Sequence, residues 1–116
     1  MKFEMKLNPE PFRLIKSGLK TIELRLNDEK RSRIGIGDII EFINTADNSQ
    51  KLTCIVINTY QFENFEELYK ELPLLKCGYT ELNISTAKAS DMLEYYSESQ
   101  IAEYGVLGIE LELLRK

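Results

Sequence analysis

Residues 17–25 read SGLKTIELR and carry a glycine and three charged side chains at the spacing G-x-K-x-x-E-x-R. The glycine predicts the end of a helix, because glycine is the commonest residue just beyond a helix C-terminus. Polar and apolar residues then alternate over residues 21–26, which predicts a strand. The four motif residues are Gly18, Lys20, Glu23 and Arg25. The motif therefore gathers charges of both signs at a helix-to-strand junction, a place suited to holding a polar ligand or a proton-transfer pair.

The pattern on either side of this stretch predicts one continuous α+β domain over residues 1–116. Strands are predicted at residues 3–7, 21–26, 39–44, 51–60 and 106–114, with a hairpin loop at 45–50 and an irregular segment at 74–86. Helices are predicted after the N-cap residues Asn8, Asn64 and Ser97, and a further helix at 91–96. Short turns between strands, with the helices grouped in sequence, indicate a mixed or antiparallel sheet. A small curled barrel is the natural way to close five short strands.

Composition narrows the function classes. The chain is 43% hydrophobic and 29% charged, with a net charge of −4 and a pI of about 5.0. This acidity argues against broad duplex binding, which depends on phosphate neutralisation, but allows a local basic cleft. No apolar run reaches the roughly 18 residues that a membrane helix needs, and the N-terminus lacks an apolar signal core. A cytoplasmic protein without membrane contact is therefore expected.

The chain has two cysteines, Cys54 and Cys77, and no histidine. The cysteines are far apart and form no C-x-x-C pair, so buried or incidental thiols are the expectation. Without histidine, a zinc site and every histidine-dependent triad are disfavoured, and neither a metal nor a cofactor is expected. Any enzymatic chemistry would have to use Lys, Glu, Asp, Thr, Ser, Tyr or Cys.

The charged motif has two interpretations on spacing alone. In the first, Glu23 and Arg25 form an ordinary ion pair on an exposed strand face, which contributes little. In the second, Lys20 and Arg25 bind an anion or a base edge while Glu23 orients one of them. A desolvated Lys20 beside Glu23 could also act as a proton-transfer or nucleophilic pair.

Two further groups of side chains bear on ligand binding. The first is a set of basic residues that either decorates a solvated loop or builds one basic rim: Arg13, Lys20, Arg25, Lys30, Arg31 and Arg33. The second is a set of tyrosines that either packs at the core edge or stacks on bases: Tyr79, Tyr95, Tyr96 and Tyr104. An exposed aromatic near the lysine would favour a base-binding cleft.

The motif, together with IGIGDIIEF at residues 34–42, resembles the signature of the ASCH domain, a small relative of the PUA fold. The C-terminal residues 94–114, with Gly105, Val106 and Gly108 ahead of an I-E pair, are similar to the end of bacterial ASCH proteins. The resemblance covers about residues 5–114. It implies a small PUA-like β-barrel of five to six mixed or antiparallel strands flanked by helices. It also implies RNA or a nucleotide-like small molecule as the partner, bound in a cleft at Gly18, Lys20, Glu23 and Arg25.

One branch of this family is enzymatic, which leaves open whether this chain is an enzyme. That branch is an amidohydrolase that removes acetyl from acetylcytidine and looks to use a lysine, a threonine and a glutamate. Lys20 matches the lysine, and the threonine position falls on Glu23. Glu81 is the nearest candidate for the glutamate by its distance from the chain end. Other ASCH proteins look like nucleases. An enzymatic reading of this chain would make Lys20 and Glu23 catalytic.

Overall fold

The fold is built on one mixed five-stranded sheet. A computed structural model of the chain describes residues 1–114. The strands are β1 (Lys2–Leu7), β2 (Ile22–Leu26), β3 (Ile39–Asn44), β4 (Asp47–Phe62) and β5 (Val106–Leu113). The helices are α1 (Pro9–Lys16), α2 (Phe65–Glu71) and α3 (Glu98–Tyr104). Short 3-10 helices lie at Arg31–Arg33, Leu74–Lys76, Ile84–Thr86 and Ala89–Glu94.

The sheet has the strand order β1-β3-β4-β5-β2, with β1 parallel to β3 and the other pairs antiparallel. The register shifts between Val56 and Asn58 in β4, and such bulges increase local bending and twist. The two edge strands then approach each other, since Arg25 Nη2 on β2 donates a hydrogen bond to the Lys6 carbonyl on β1 at 2.8 Å. The sheet is thus a half-barrel, and the predicted α+β, PUA-like architecture is confirmed.

Two apolar clusters stabilise this half-barrel. The larger one packs α1 against β1, β3, β4 and β5, around Phe42, Ile40 and Ile109, which are fully buried. The smaller one packs α2 and the segment that follows it against β2, around Leu68 and Val106. Ile22, Leu24 and Leu26 of β2 belong to this smaller cluster, and Glu23 on the other face of the strand is buried as well. Strand β2 is therefore covered on both faces, which the alternating sequence of residues 21–26 does not indicate.

The local helix signals are confirmed except at Asn8, which precedes α1 but makes no side-chain capping bond. Gly18 lies just beyond α1 with φ of +83°, a conformation that favours glycine. Asn64 Oδ1 accepts a hydrogen bond from the Glu67 backbone N–H at 2.9 Å and caps α2. The side chains of Ser97 and Gln100 form the reciprocal capping box of α3.

Three predicted features are wrong in detail. Residues 45–50 are not all loop, because β4 begins at Asp47 and only Thr45 and Ala46 make the turn. The predicted helix at 91–96 is the 3-10 helix Ala89–Glu94, begun by a hydrogen bond from the Lys88 backbone N–H to Asp91 Oδ2. The helical spacing of Ile101 and Tyr104 predicts that both point inward, but Tyr104 is 41% exposed. In each case the local polarity pattern is compatible with both structures, and tertiary packing decides between them.

Candidate functional site

The candidate site is built where α1 turns into β2. The backbone N–H groups of Leu19 and Lys20 both donate to the Leu14 carbonyl, so the turn after Gly18 is tight and sets the position of Lys20. Strand β2 follows directly and pairs only with β5. Because side chains alternate along a strand, Glu23 and Arg25 project from the same face. The turn thus delivers Lys20 to the side of the strand that carries Glu23.

The three charged side chains meet at one carboxylate. Lys20 Nζ lies 2.8 Å from Glu23 Oε1, and Arg25 Nη2 lies 2.9 Å from Glu23 Oε2. Arg25 Nε donates a second hydrogen bond to Glu23 Oε2 at 3.1 Å. Glu23 is only 4% exposed and Lys20 only 9%. This is not the exposed strand-face pair of the first interpretation, because the whole arrangement is withdrawn from solvent.

Every acceptor position of Glu23 is occupied. An ionised carboxylate offers about four lone-pair sites on its two oxygens. Oε1 faces Lys20 Nζ and also accepts from the Leu24 backbone N–H at 3.2 Å. Oε2 accepts both contacts from the Arg25 guanidinium. Glu23 therefore holds its two cationic neighbours in place and has no lone pair left for another group.

Electrostatics keep this cluster ionised. Burial by itself would raise the pKa of the Glu23 carboxyl, but the charges and hydrogen bonds of Lys20 and Arg25 outweigh it and hold that pKa below its usual value. Burial likewise works to lower the pKa of Arg25, and the Glu23 charge reverses the direction and raises it. One negative and two positive charges leave the cluster with a net charge of +1.

The cluster forms the floor of a cleft of about 660 Å³. The segment after α2 supplies the opposite wall, and its Gly78 has φ of +113° and packs against the Lys20 side chain. A methyl group at Gly78 would lie 3.4 Å from Lys20 Cδ and 3.7 Å from Nζ. Tyr95 also lines the cleft, and it is an exposed aromatic side chain, with 59% of its surface accessible. The volume lies within the range of small-molecule sites, about 300–1,000 Å³.

A hydrogen-bonded chain stiffens this wall. Tyr69 and Tyr79 share a hydrogen bond of 2.7 Å between their hydroxyls, and the Tyr79 hydroxyl donates to Asp91 Oδ2 at 2.9 Å. Burial and these two partners raise the pKa of Tyr79 well above its usual value. Tyr96, by contrast, stacks on Phe65 with ring centres 6.2 Å apart. The hydrogen bonds among Tyr69, Tyr79 and Asp91 connect α2 to the segment that covers Lys20. The cleft wall is therefore stabilised by side-chain contacts as well as by the loop backbone.

The structure brings some of the residues singled out from the sequence into this cleft and leaves others outside. Lys20, Glu23 and Arg25 line it, together with Cys77. Gly18 does not line the cleft and acts only through the backbone turn. Glu81 is exposed and also lies outside the lining. The contributions of Gly78, Tyr69, Asp91 and the Lys6 carbonyl were missed, since no local spacing relates them to the motif.

Of the two alternatives for the basic residues, the contacts of Arg13, Arg31 and Arg33 favour solvated surface positions over one basic rim. Arg13 pairs with Glu10 at 2.6 Å, Arg31 with Asp28 at 2.8 Å and Arg33 with Glu29 at 3.4 Å. These arginines are therefore matched by carboxylates three or four residues away, as is common on helical turns. Glu10 and Glu94 also stand among the residues that line the cleft. The basic residues at the cleft floor are therefore Lys20 and Arg25, without a contribution from Arg13, Arg31 or Arg33.

A second, larger groove of about 1020 Å³ lies between α2 and α3. Its lining includes Glu63, Glu66, Glu67, Glu98 and Glu103 and neither lysine nor arginine. An anionic ligand would be repelled there. The charged cleft at Lys20 is therefore the better candidate for a phosphate-bearing or base-like ligand.

Both cysteines are buried and free, and burial raises the pKa of each to about 11. Within residues 1–114, His, Cys, Asp and Glu side chains form no group of three or more that could hold a metal ion. Over the same residues, the helices are all too short or too polar to cross a membrane.

Comparison with known proteins agrees with this architecture. A family model described as the ASCH domain matches residues 5–115. The chain belongs to the ASCH domain family. Hypothetical protein PH0355, known from a crystal structure, is 34% identical to this ASCH domain, with a TM-score of 0.81 over 98% of this chain and 100% of that one. Protein PF0455 from Pyrococcus furiosus, solved by NMR, is 31% identical, with a TM-score of 0.75 and full coverage of both chains.

A more distant structure supports the fold alone. A mutant of ZmASCH from Zymomonas mobilis is 18% identical, with a TM-score of 0.62 over 94% of this ASCH domain and 66% of the other chain. Among curated proteins, none matches the chain significantly.

Proposed function

We propose that this ASCH domain binds RNA or a nucleotide-like small molecule in the charged cleft. Lys20 and Arg25 make the polar contacts, Glu23 holds their geometry, and Gly18 sets the turn that positions Lys20. The observation that carries the proposal is the convergence of three charges, two of them buried and that of Arg25 partly buried, on the floor of a cleft of about 660 Å³. Tyr95 on the wall supplies an exposed ring of the kind on which bases stack.

The charge distribution favours a ligand of one nucleotide, either free or as one unit of a strand. The described lining of the cleft contains three basic residues, Lys6, Lys20 and Arg25, and carboxylates stand at the cleft edge and beside the surface arginines. A groove that tracks a long phosphate backbone needs a continuous positive surface, and this protein has a net charge of −4. If two phosphates are neutralised, the slope of log K against log salt should be about −1.4 for a single strand. Neutralisation of fewer phosphates would give a shallower slope.

The direct test is to measure the binding of a short single-stranded RNA and of mononucleotides at low salt. Fluorescence anisotropy and calorimetry are the two measurements. Lys20→Ala should weaken binding at least tenfold, because it removes one of two cationic donors. The matched control is Lys16→Ala, which removes the same charge from an exposed position outside the cleft. Absence of binding by the wild-type protein to every one of these ligands would rule the proposal out.

A hydrolase that acts on a modified nucleoside is the second candidate, and the buried 2.8 Å contact between Lys20 and Glu23 is the observation that favours it. Two features weigh against it. A lysine that acts as base or nucleophile must first give up a proton, and here a carboxylate faces the ammonium. Glu81 is exposed outside the cleft. The test is incubation with acetylcytidine and detection of free acetate; equal yields from wild type and Lys20→Ala would eliminate this candidate.

A further inference from the structure

The hydrogen-bonding groups that remain free on Lys20, Glu23 and Arg25 at the cleft floor are donors. Lys20 carries three N–H donors, and Arg25 carries five. Lys20 Nζ faces Glu23, while Nε and Nη2 of Arg25 are used by Glu23 and the Lys6 carbonyl. Neither Lys20 Nζ nor Arg25 Nη1 makes any other hydrogen bond within residues 1–114. The floor therefore has spare donors on two cations.

The acceptor that lies between these donors is not available to a ligand. Both oxygens of Glu23 are already engaged by Lys20, by the Leu24 backbone N–H and by two nitrogens of Arg25. A ligand amine that approached Glu23 would have to displace one of these charge-assisted contacts. It would also leave a buried cation without its partner, and such losses are costly.

We infer that the cleft selects ligands that present hydrogen-bond acceptors, with no donor, to Lys20 and Arg25. The inference rests on the proposed function and specifies the ligand class for the same site. The group recognised is an oxygen-bearing acceptor, either the carbonyl edge of a keto base or a phosphate. Glu23 is a positioning residue, since it contacts the ligand only through the two cations that it holds.

A comparison of 6-keto with 6-amino purines can test whether the cleft prefers acceptors. The O6 and N7 atoms of a 6-keto purine are two adjacent acceptors, which suit arginine or lysine. Adenine instead presents an N7 acceptor beside an N6 amine donor. At this floor, that amine would meet N–H groups and leave polar groups unpaired, which is the situation in which binding sites reject analogues most strongly. A 6-keto purine and its 6-amino counterpart are nearly identical in size, so volume cannot account for a difference between them.

The experiment compares inosine with adenosine, and inosine 5′-monophosphate with adenosine 5′-monophosphate, by calorimetry on the wild-type protein. If a base edge is read, inosine should bind at least tenfold more tightly than adenosine. If a phosphate is read, the two monophosphates should bind alike, far more tightly than either nucleoside, and inorganic phosphate should displace them. Either pattern supports an acceptor-selective cleft and identifies which source of acceptor it takes.

A variant tests the positions directly. Lys20→Gln adds an amide carbonyl acceptor at the floor. If a base edge is read, the inosine-to-adenosine affinity ratio should therefore fall towards one; if a phosphate is read, inorganic phosphate should displace the monophosphates less effectively. Lys16→Gln, on the exposed end of α1, should leave both quantities unchanged.

Two results would overturn the inference while leaving the binding function intact. In the first, adenosine binds as tightly as inosine and the 5′-phosphate adds no affinity; in the second, the monophosphates bind but show no keto preference and are not displaced by phosphate. Failure of all four compounds and of single-stranded RNA to bind would overturn the proposed function and this inference together.

Discussion

Replacing Glu23 with glutamine should destabilise the protein severely, although the two side chains have the same shape. The amide oxygen can still accept from Lys20 and the Leu24 backbone N–H, but the amide nitrogen then faces the Arg25 guanidinium, donor against donor. Two buried cations are left without a counter-charge. Removing one partner of a buried ion pair costs about 3–5 kcal/mol, and the retained amide oxygen places this variant at the lower end, about 3 kcal/mol.

The size of this effect makes it measurable by ordinary unfolding experiments. A loss of about 3 kcal/mol is large but smaller than the free energy of unfolding of a domain of this kind, which is roughly 5–15 kcal/mol. The variant should therefore still fold. For a chain of 116 residues it corresponds to a fall in Tm of about 12 °C. In urea the midpoint should fall by about 1.5 M for an m-value near 2 kcal/mol/M. Far-UV circular dichroism at pH 7 is the readout.

The control is Glu4→Gln on the neighbouring edge strand β1, where the side chain is exposed. It makes the same chemical change and should alter the free energy of unfolding by less than about 0.5 kcal/mol. If Glu23→Gln proves no more destabilising than Glu4→Gln, Glu23 is not the counter-charge that holds Lys20 and Arg25, and the reasoning about the site is refuted.

The pH dependence supplies an independent check with a definite sign. The pKa of Glu23 is depressed in the folded protein from its usual 4.5. Its stabilising contribution is therefore fully present above about pH 4.5 and is lost as the pH falls through the folded value. The stability difference between wild type and Glu23→Gln should be constant from pH 5 to 8 and narrow only below that range. Because Asp38 and Asp47 also have depressed pKa values, the difference between the two proteins, rather than either curve alone, carries the test. Narrowing that began near pH 6.5 would mean that burial raises the Glu23 pKa, and it would contradict the conclusion that Lys20 and Arg25 outweigh burial.

Three further predictions follow from other parts of the fold. Gly105→Ala should cost about 1–3 kcal/mol, because φ is +72° and ψ is −172° there and a Cβ would lie 2.9 Å from the Phe62 carbonyl oxygen; Gly35→Ala, whose Cβ would meet nothing closer than 3.9 Å, is the control in urea unfolding. Cys54 and Cys77, with pKa values of about 11, should not react with a thiol reagent at pH 7.5 until urea unfolds the chain; rapid reaction of the native protein would contradict their burial. Tyr79 should ionise well above pH 10, so the ultraviolet titration of wild type minus Tyr79→Phe should show no step near pH 10, and the contribution of its raised pKa to stability should persist below that pH and be lost above it.

Local signals account for what the sequence predicted well. The helix starts at Asn64 and Ser97 are set by side chains that bond to backbone groups three residues away, so a short window contains the whole interaction. Gly18 likewise ends α1 through its own backbone conformation. The strand at residues 39–44 was equally predictable from the sequence, because one side of that strand faces the core and the other is partly solvated.

Long-range packing accounts for what was missed. The start of β4 at Asp47 depends on pairing with Asn44 rather than on composition, since residues 47–50 are as polar as a loop. The irregular segment at 74–86, which carries Gly78 and Tyr79, has no periodicity, yet it contributes to the wall of the cleft beside Lys20.

From the order of its residues alone, this chain determined that a lysine would follow a glycine-capped helix and that a glutamate and an arginine would share one side of the next strand, because helix caps and strand alternation are local. Only the tertiary structure decided that this side of β2 would be buried, that Glu23 would be fully engaged by its two cationic neighbours, and that the surface arginines would be matched by nearby carboxylates instead of forming a basic rim. The physical reason is that burial depends on the half-barrel closing and on the segment after α2 packing over Lys20, and those contacts join residues far apart in the chain.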